Sequence, residues 1–179
     1  MKIVHSVKRW AVILGVFALV GCQAEEPEIE DPVGTDAATL EENKRLVSRV
    51  YEEAYNGGDI AVIDELLSPD YVNHQVFPGL PDTREGLKEV IGAMRTAFPD
   101  LNISIHRVLA EGDRVSVAAT IEGTHEGPMM GMPPSGNAVS FETMDEFRLV
   151  DGLQVEHWGV TDQLTMLTQM GILPSGEEH

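Results

Sequence analysis

Apolar residues recur at helical spacing in the first half of the chain and at every second position in the second half. Leu46, Val47, Val50, Tyr51, Ala54 and Tyr55 form one stripe of a first helix. Thr39 followed by Glu42 fits a capping box at its start, and Gly57-Gly58 stops it. Asp59 caps a short second helix with Ile60, Ile63, Leu66 and Leu67 inward, and Ser68-Pro69 ends it. Asp70 to Val76 reads as extended and Pro78 to Asp82 as a loop. Thr83 then caps a third helix whose stripe is Leu87, Val90, Ile91, Met94 and Phe98, closed by Pro99. Beyond it the period becomes two. Leu101, Ile103 and Ile105 alternate with polar neighbours, as do Val115, Val117, Ala119 and Ile121, around a turn at Glu111-Gly112-Asp113. A long strand over Val139 to Val150 turns at Asp151-Gly152 into Leu153 to Thr161, and Gln163 to Met170 suits a final short helix. Three helices followed by a meander predict an α+β fold, with helices packed on one face of a curled antiparallel sheet.

The last hairpin gives a registry. With a two-residue loop Val150 faces Leu153, so Phe147 faces Glu156, Asp145 faces Trp158, Thr143 faces Val160, and Phe141 faces Asp162. One face then mixes Phe141, Phe147 and Trp158 with the three carboxylates, which is the composition of a ligand pocket. An ordinary sheet face with carboxylates at its rim remains the alternative. The same registry sends His157 to the opposite face.

Three further features bear on chemistry. His74 ends Tyr71-Val72-Asn73-His74, and His125 ends a strand. Their spacing with nearby carboxylates matches no tight metal-ligand pattern, so no metal is expected. Met129, Met130 and Met132 give an adaptable apolar loop stiffened by Pro133-Pro134. It reads equally as a lid over a pocket or as a loop packed on a second subunit.

Charge and the N-terminus set the context. The chain of 179 residues suits one domain, and its formal net charge of -18 argues against nucleic acid as a partner. Lys2, Lys8 and Arg9 precede an uncharged apolar run from Trp10 to Val20, too short to span a bilayer. Leu19-Val20-Gly21-Cys22 follows and resembles the lipobox of bacterial lipoproteins. A plain secretory signal or an uncleaved anchor is the other reading. Cys22 is the only cysteine and has no disulfide partner within the chain. The expected organisation is a signal peptide over 1–21, a lipidated Cys22 with an acidic tether over 22–38, a domain over 39–173 and a tail over 174–179. The expected location is the cell envelope, with the lipid as the membrane contact.

Several segments, in order, resemble the SnoaL-like polyketide cyclase (ester cyclase) family. They are Asn43 to Gly58, Leu66 to His74, Pro78-Gly79-Leu80-Pro81, Ala97 to Leu101, Gly131 to Gly136, and Glu156 to Asp162. The resemblance implies the cone-shaped α+β barrel of the nuclear-transport-factor-2-like superfamily, often a homodimer. It implies cofactor-free acid/base chemistry, an intramolecular aldol closure, with an Asp at the position of Asp162 as general acid/base and His74 in the pocket. Under that reading Asp162 and His74 are the catalytic candidates. Asp145, Trp158, Phe141, Phe147, His125, Tyr71 and Met132 are the substrate-binding ones. The ligand is then a small apolar carbonyl compound, and the acid works if burial raises its pKa. A non-catalytic lipoprotein that binds such a ligand, or a structural domain that dimerises through its sheet face, stays open beside it.

Overall fold

The computed structural model describes residues 35–75 and 79–174. The predicted signal peptide, Cys22, nearly all of the tether and the last five residues lie outside them. The first helix, α1 (Ala37–Arg49), begins earlier than the capping-box reading has it. Asp36 is the cap: its carboxylate accepts the Thr39 N–H at 3.0 Å and the Thr39 hydroxyl at 3.0 Å. Thr39 therefore lies inside the helix, because an acid three residues upstream reaches the free N–H groups better than its own side chain does.

α1 continues without a break into a π-helical segment, Val50–Asn56. Its wider turn is a local feature that the apolar spacing does not announce. Arg95 closes the end by donating to the Tyr55 and Asn56 carbonyls at 2.6 and 2.9 Å. The Asn56 side chain spans to Ile103, giving and receiving one hydrogen bond each. Together these contacts fix where Tyr51 and Tyr55 point.

Helix α2 (Val62–Leu66) runs into strand β1 (Leu67–Asn73), and α3 (Arg84–Ala97) is capped by Thr83 through the Gly86 N–H, as the sequence predicts. The meander β2 (Asn102–Glu111), β3 (Arg114–Thr124), β4 (Ala138–Val150) and β5 (Leu153–Thr161) follows, with α4 (Gln163–Gln169) last. The strand order is β1-β5-β4-β3-β2. β1 joins the edge in parallel with β5, so the sheet is mixed and curled but not closed. The fold is α+β with five strands and four helices among the described residues.

Burial falls into two clusters. One packs α1 and Phe98 against Val115, Val117, Phe141 and Phe147 of the sheet. The other gathers Ile63, Leu66, Leu67, Leu87 and Ile91 around α2 and α3. The space between these clusters is the site.

Candidate active site

Strand β4 turns Val139, Phe141, Thr143, Asp145, Phe147 and Leu149 inward by strict alternation. That half of the predicted face is present. The β5 half is reversed. Val150 does pair with Leu153 and Leu149 with Gln154, but the next pair is Arg148 with Glu156. Val155 is an extra residue, a β-bulge, and every side chain beyond it changes face. Phe147 thus pairs with His157, and Asp145 with Gly159. His157 faces inward, whereas Glu156 and Trp158 face outward.

Between the helices and this face lies a cavity of about 330 Å³. Its apolar wall includes Val50, Leu87, Met94, Ile121, Phe141 and Met166. Three tyrosines, Tyr51, Tyr55 and Tyr71, also line it, with Thr143, Asp145, His157, Gln75, Thr161 and Gln163 as further polar residues. A mostly apolar hollow with a few convergent polar atoms is the usual form of a small-molecule site.

Asp145 and His157 meet on its wall. Asp145 is 8% exposed and His157 is 7% exposed. His157 Nε2 lies 3.2 Å from Asp145 Oδ1, and its Nδ1 lies 2.9 Å from Asn73 Oδ1. The Gln75 backbone N–H also donates to Asn73 Oδ1, at 3.0 Å, which identifies that atom as the acceptor oxygen. His157 must then donate through Nδ1. That leaves Nε2 facing the Asp145 carboxylate. Asp145 also accepts from the Tyr51 hydroxyl at 2.8 Å, with the Thr143 hydroxyl at 3.3 Å from each of its oxygens. Burial, and then the Asp145 charge, push the Tyr51 phenol well above its ordinary value, so it remains a donor. The Phe147 ring stacks on His157 at 4.8 Å and holds it flat against the wall.

The other expected site residues divide. Phe141, Phe147, Asp145 and Tyr71 line the cavity. His74 and Trp158 meet each other, but on the outer side of the sheet. Their rings stack at 4.5 Å, Arg114 lies over Trp158 at 4.9 Å, and His74 Nε2 is 3.3 Å from Glu156. The shift of face at Val155 turns Trp158 outward, and alternation along β1, with Tyr71 and Asn73 inward, does the same for His74. His125 is buried against Phe98, away from the cavity, and its Nδ1 accepts the Ser135 N–H at 3.2 Å, tying down the methionine loop. In that loop Met129 and Met130 line the cavity, and Met132 does not. Met132 instead pairs through its backbone with Met129 across a tight turn.

Asp162 is exposed, outside the cavity lining, and serves as the N-cap of α4. The Thr165 hydroxyl and N–H donate to it at 2.7 and 3.0 Å, and they hold its carboxyl below the ordinary 3.8 rather than above it. The expectation of a buried acid with a raised pKa at this position is therefore corrected. A folded-state value below the unfolded one means that the cap stabilises α4 at neutral pH. That contribution is lost as the pH falls through the depressed value. Asp162→Asn, which still caps, is expected to keep ligand binding and turnover at neutral pH. Loss of turnover in this variant would return the chemistry to position 162.

Among the described residues no group of His, Cys, Asp and Glu is arranged to hold a metal ion. The missed residues are His157, Asn73, Gln75 and Tyr51. Tyr51 carries a helical-stripe signal, Asn73 shares the inward face of β1 with Tyr71, and His157 depends on the bulge.

The chain is similar to known proteins along most of this domain. The family model described as SnoaL-like polyketide cyclase matches residues 45–170. The nogalonic acid methyl ester cyclase of Streptomyces nogalater is 28% identical over 120 residues, covering 66% of this chain and 90% of that protein. The aklanonic acid methyl ester cyclase DnrD of Streptomyces peucetius is 28% identical over 129 residues, covering 70% and 88%. Among solved structures, TsrD from Streptomyces laurentii superposes with a TM-score of 0.68 at 30% identity, over 78% of this chain and 99% of that one.

Proposed function

Because the chain belongs to the SnoaL-like polyketide cyclase family, we propose that its cavity carries out cofactor-free acid/base chemistry on a small, largely apolar carbonyl compound. One observation carries the reading: a buried Asp145–His157 pair in hydrogen-bond contact at 3.2 Å, set in an apolar hollow. Asp145 is the proton acceptor. His157 faces it with one ring nitrogen and spends the other on Asn73, so it acts through the carboxylate as a proton store rather than on the ligand directly.

The step follows from those roles. Asp145 takes a proton from the carbon next to a carbonyl, and the resulting enolate carbon attacks a second carbonyl of the same molecule. A carbon–carbon bond forms, the second carbonyl oxygen becomes an alkoxide, and it receives the proton from Asp145. The product is an isomer of the substrate. A low-dielectric cavity strengthens each of these electrostatic contacts.

Nogalonic acid methyl ester and aklanonic acid methyl ester, which name the relatives' activities, are the first substrates to offer. Conversion to a product of unchanged mass and shorter conjugation, followed by chromatography and absorbance, supports the reading. Tight binding of either ester with no turnover would favour a non-catalytic binder.

The location belongs to the same proposal and rests on sequence: the apolar run Trp10 to Val20, followed by Leu19-Val20-Gly21-Cys22. Cys22→Ser is expected to abolish labelling by a fatty-acid probe and to move the protein from the membrane to the soluble fraction. Retention in the membrane without label would reverse that assignment.

A further inference from the structure

Tyr71 carries an atom with no role in the contacts described so far. The residue is 2% exposed and lines the cavity, yet its hydroxyl has no hydrogen-bond partner among the described residues. Buried polar atoms are nearly always paired, and an orphan asks for a physical reason. Packing does not supply one, since a phenylalanine ring would fill the same space without the unpaired group. Tyr51 shows the contrast: its hydroxyl is used by Asp145.

The position of Tyr71 is informative. Side chains alternate along β1, so Tyr71 and Asn73 leave it on one face. Asn73 is the β1 partner of His157 in the parallel ladder and holds its ring. The unpaired hydroxyl therefore stands on the same wall as the proton-transfer pair, one alternation along the strand. Burial first, then the neighbouring Tyr55 and Asp145, push the phenol far above its ordinary value, so it stays a donor at any working pH.

We propose that the Tyr71 hydroxyl donates its hydrogen bond to an oxygen of the ligand, and that the cavity thereby selects molecules carrying a carbonyl on the edge turned toward β1. This rests on reading the cavity as the ligand site, and it does not depend on turnover. A donor fixed beside Asp145 would meet the oxygen on which negative charge gathers when the adjacent carbon loses its proton. Tyr71 is in this sense the counterpart of Asp145: one takes the proton and the other receives the charge.

The test compares 1-tetralone with tetralin, two bicyclic probes of matched shape, of which only the first carries a carbonyl. Affinities are measured by ligand-observed NMR titration on the wild-type domain and on Tyr71→Phe. The wild type is expected to prefer the ketone, and Tyr71→Phe to lose about tenfold of that preference, which is ~1.4 kcal/mol. Tetralin affinity should be unchanged, and the thermal midpoint of the unliganded variant should not fall, because no hydrogen bond within the protein is removed. An equal ketone preference in both proteins overturns the role of Tyr71 and leaves the cavity reading standing. Failure of both probes to bind the wild type overturns the cavity reading itself. If Tyr71→Phe does not fold, the carbonyl stretch of 1-tetralone bound to the wild type decides. A shift to lower frequency than in an apolar solvent supports the donor, and an unshifted band overturns it.

Discussion

Asp145→Asn is expected to lower turnover of an accepted ester by about 10²–10⁴-fold, the range for loss of a general acid/base, while the fold survives. The amide is close to the shape of the carboxylate and can keep most of its contacts. Its oxygen can accept from the Tyr51 hydroxyl, which lies 2.8 Å from Asp145 Oδ2. Its N–H₂ can donate to His157 Nε2, the atom now 3.2 Å from Oδ1. His157 would then hold a single proton, on Nδ1, still donated to Asn73. What is gone is the carboxylate that accepts a proton from carbon. Binding should change far less than turnover, because the apolar wall is untouched. The contrast with Asp145→Ala matters. Alanine leaves the Tyr51 hydroxyl and His157 Nε2 buried without a partner, and such a loss costs about 1–3 kcal/mol for each unsatisfied group. Reduced activity in the alanine variant could then reflect lost stability, whereas the asparagine variant isolates the proton transfer. Turnover by Asp145→Asn within a few-fold of wild type would remove Asp145 from the chemistry.

How much of this site the sequence disclosed follows from where local rules suffice. The helices, the hairpin at Asp151-Gly152 and the inward set on β4 follow from spacing and turn chemistry. Phe141, Thr143, Asp145 and Phe147 alternate without interruption and are all buried. The turn has both central residues at positive φ, Asp151 at 50° and Gly152 at 79°, as a two-residue hairpin requires. What sequence reasoning missed begins at Val155. Nothing in Gln154-Val155-Glu156-His157 marks a bulge, since no glycine or proline stands there. The structure reveals it only as a three-residue step between the inward Gln154 and His157. One inserted residue exchanges His157 for Trp158 at the site, whereas His74 lies outside by the alternation that turns Tyr71 and Asn73 inward. Asp162 fails as a buried acid for a different reason. At the foot of α4 a carboxylate gains two hydrogen bonds by capping, and an aspartate just before a helix is as good a cap as an acid. The π-helical segment that carries Tyr51 and Tyr55 is equally silent in sequence, because its apolar stripe reads as an ordinary α-helix.

Gly159 carries the second large expectation. It stands opposite Asp145 in the β4–β5 ladder, and a Cβ placed on it would lie 2.5 Å from Asp145 Oδ1 and 2.6 Å from Gln75 Oε1. Both distances are well inside van der Waals contact, so Gly159→Ala must displace at least one of the two side chains. Gln75 can yield by giving up its bond to the Thr161 hydroxyl, now 3.0 Å. Asp145 cannot yield cheaply, because Tyr51, Thr143 and His157 hold it from three sides. Overpacking of this kind costs about 1–3 kcal/mol of stability. Its effect on turnover should be larger, since misplacing a reacting group by ~1 Å can cost roughly 10²-fold. The variant is thus expected to fold, with a modestly lower thermal midpoint, and to be about 10²-fold slower. A control separates this from a general intolerance of alanine. Gly92 lies on the exposed side of α3 with open space where its Cβ would go. Gly92→Ala should leave turnover unchanged and add about 0.5–1 kcal/mol of stability, as alanine does in a helix. If Gly159→Ala instead keeps wild-type turnover, then Asp145 tolerates displacement from its three hydrogen bonds. Its fixed position would not be what the reaction needs, and the proton-transfer role would have to rest on a group elsewhere on the cavity wall.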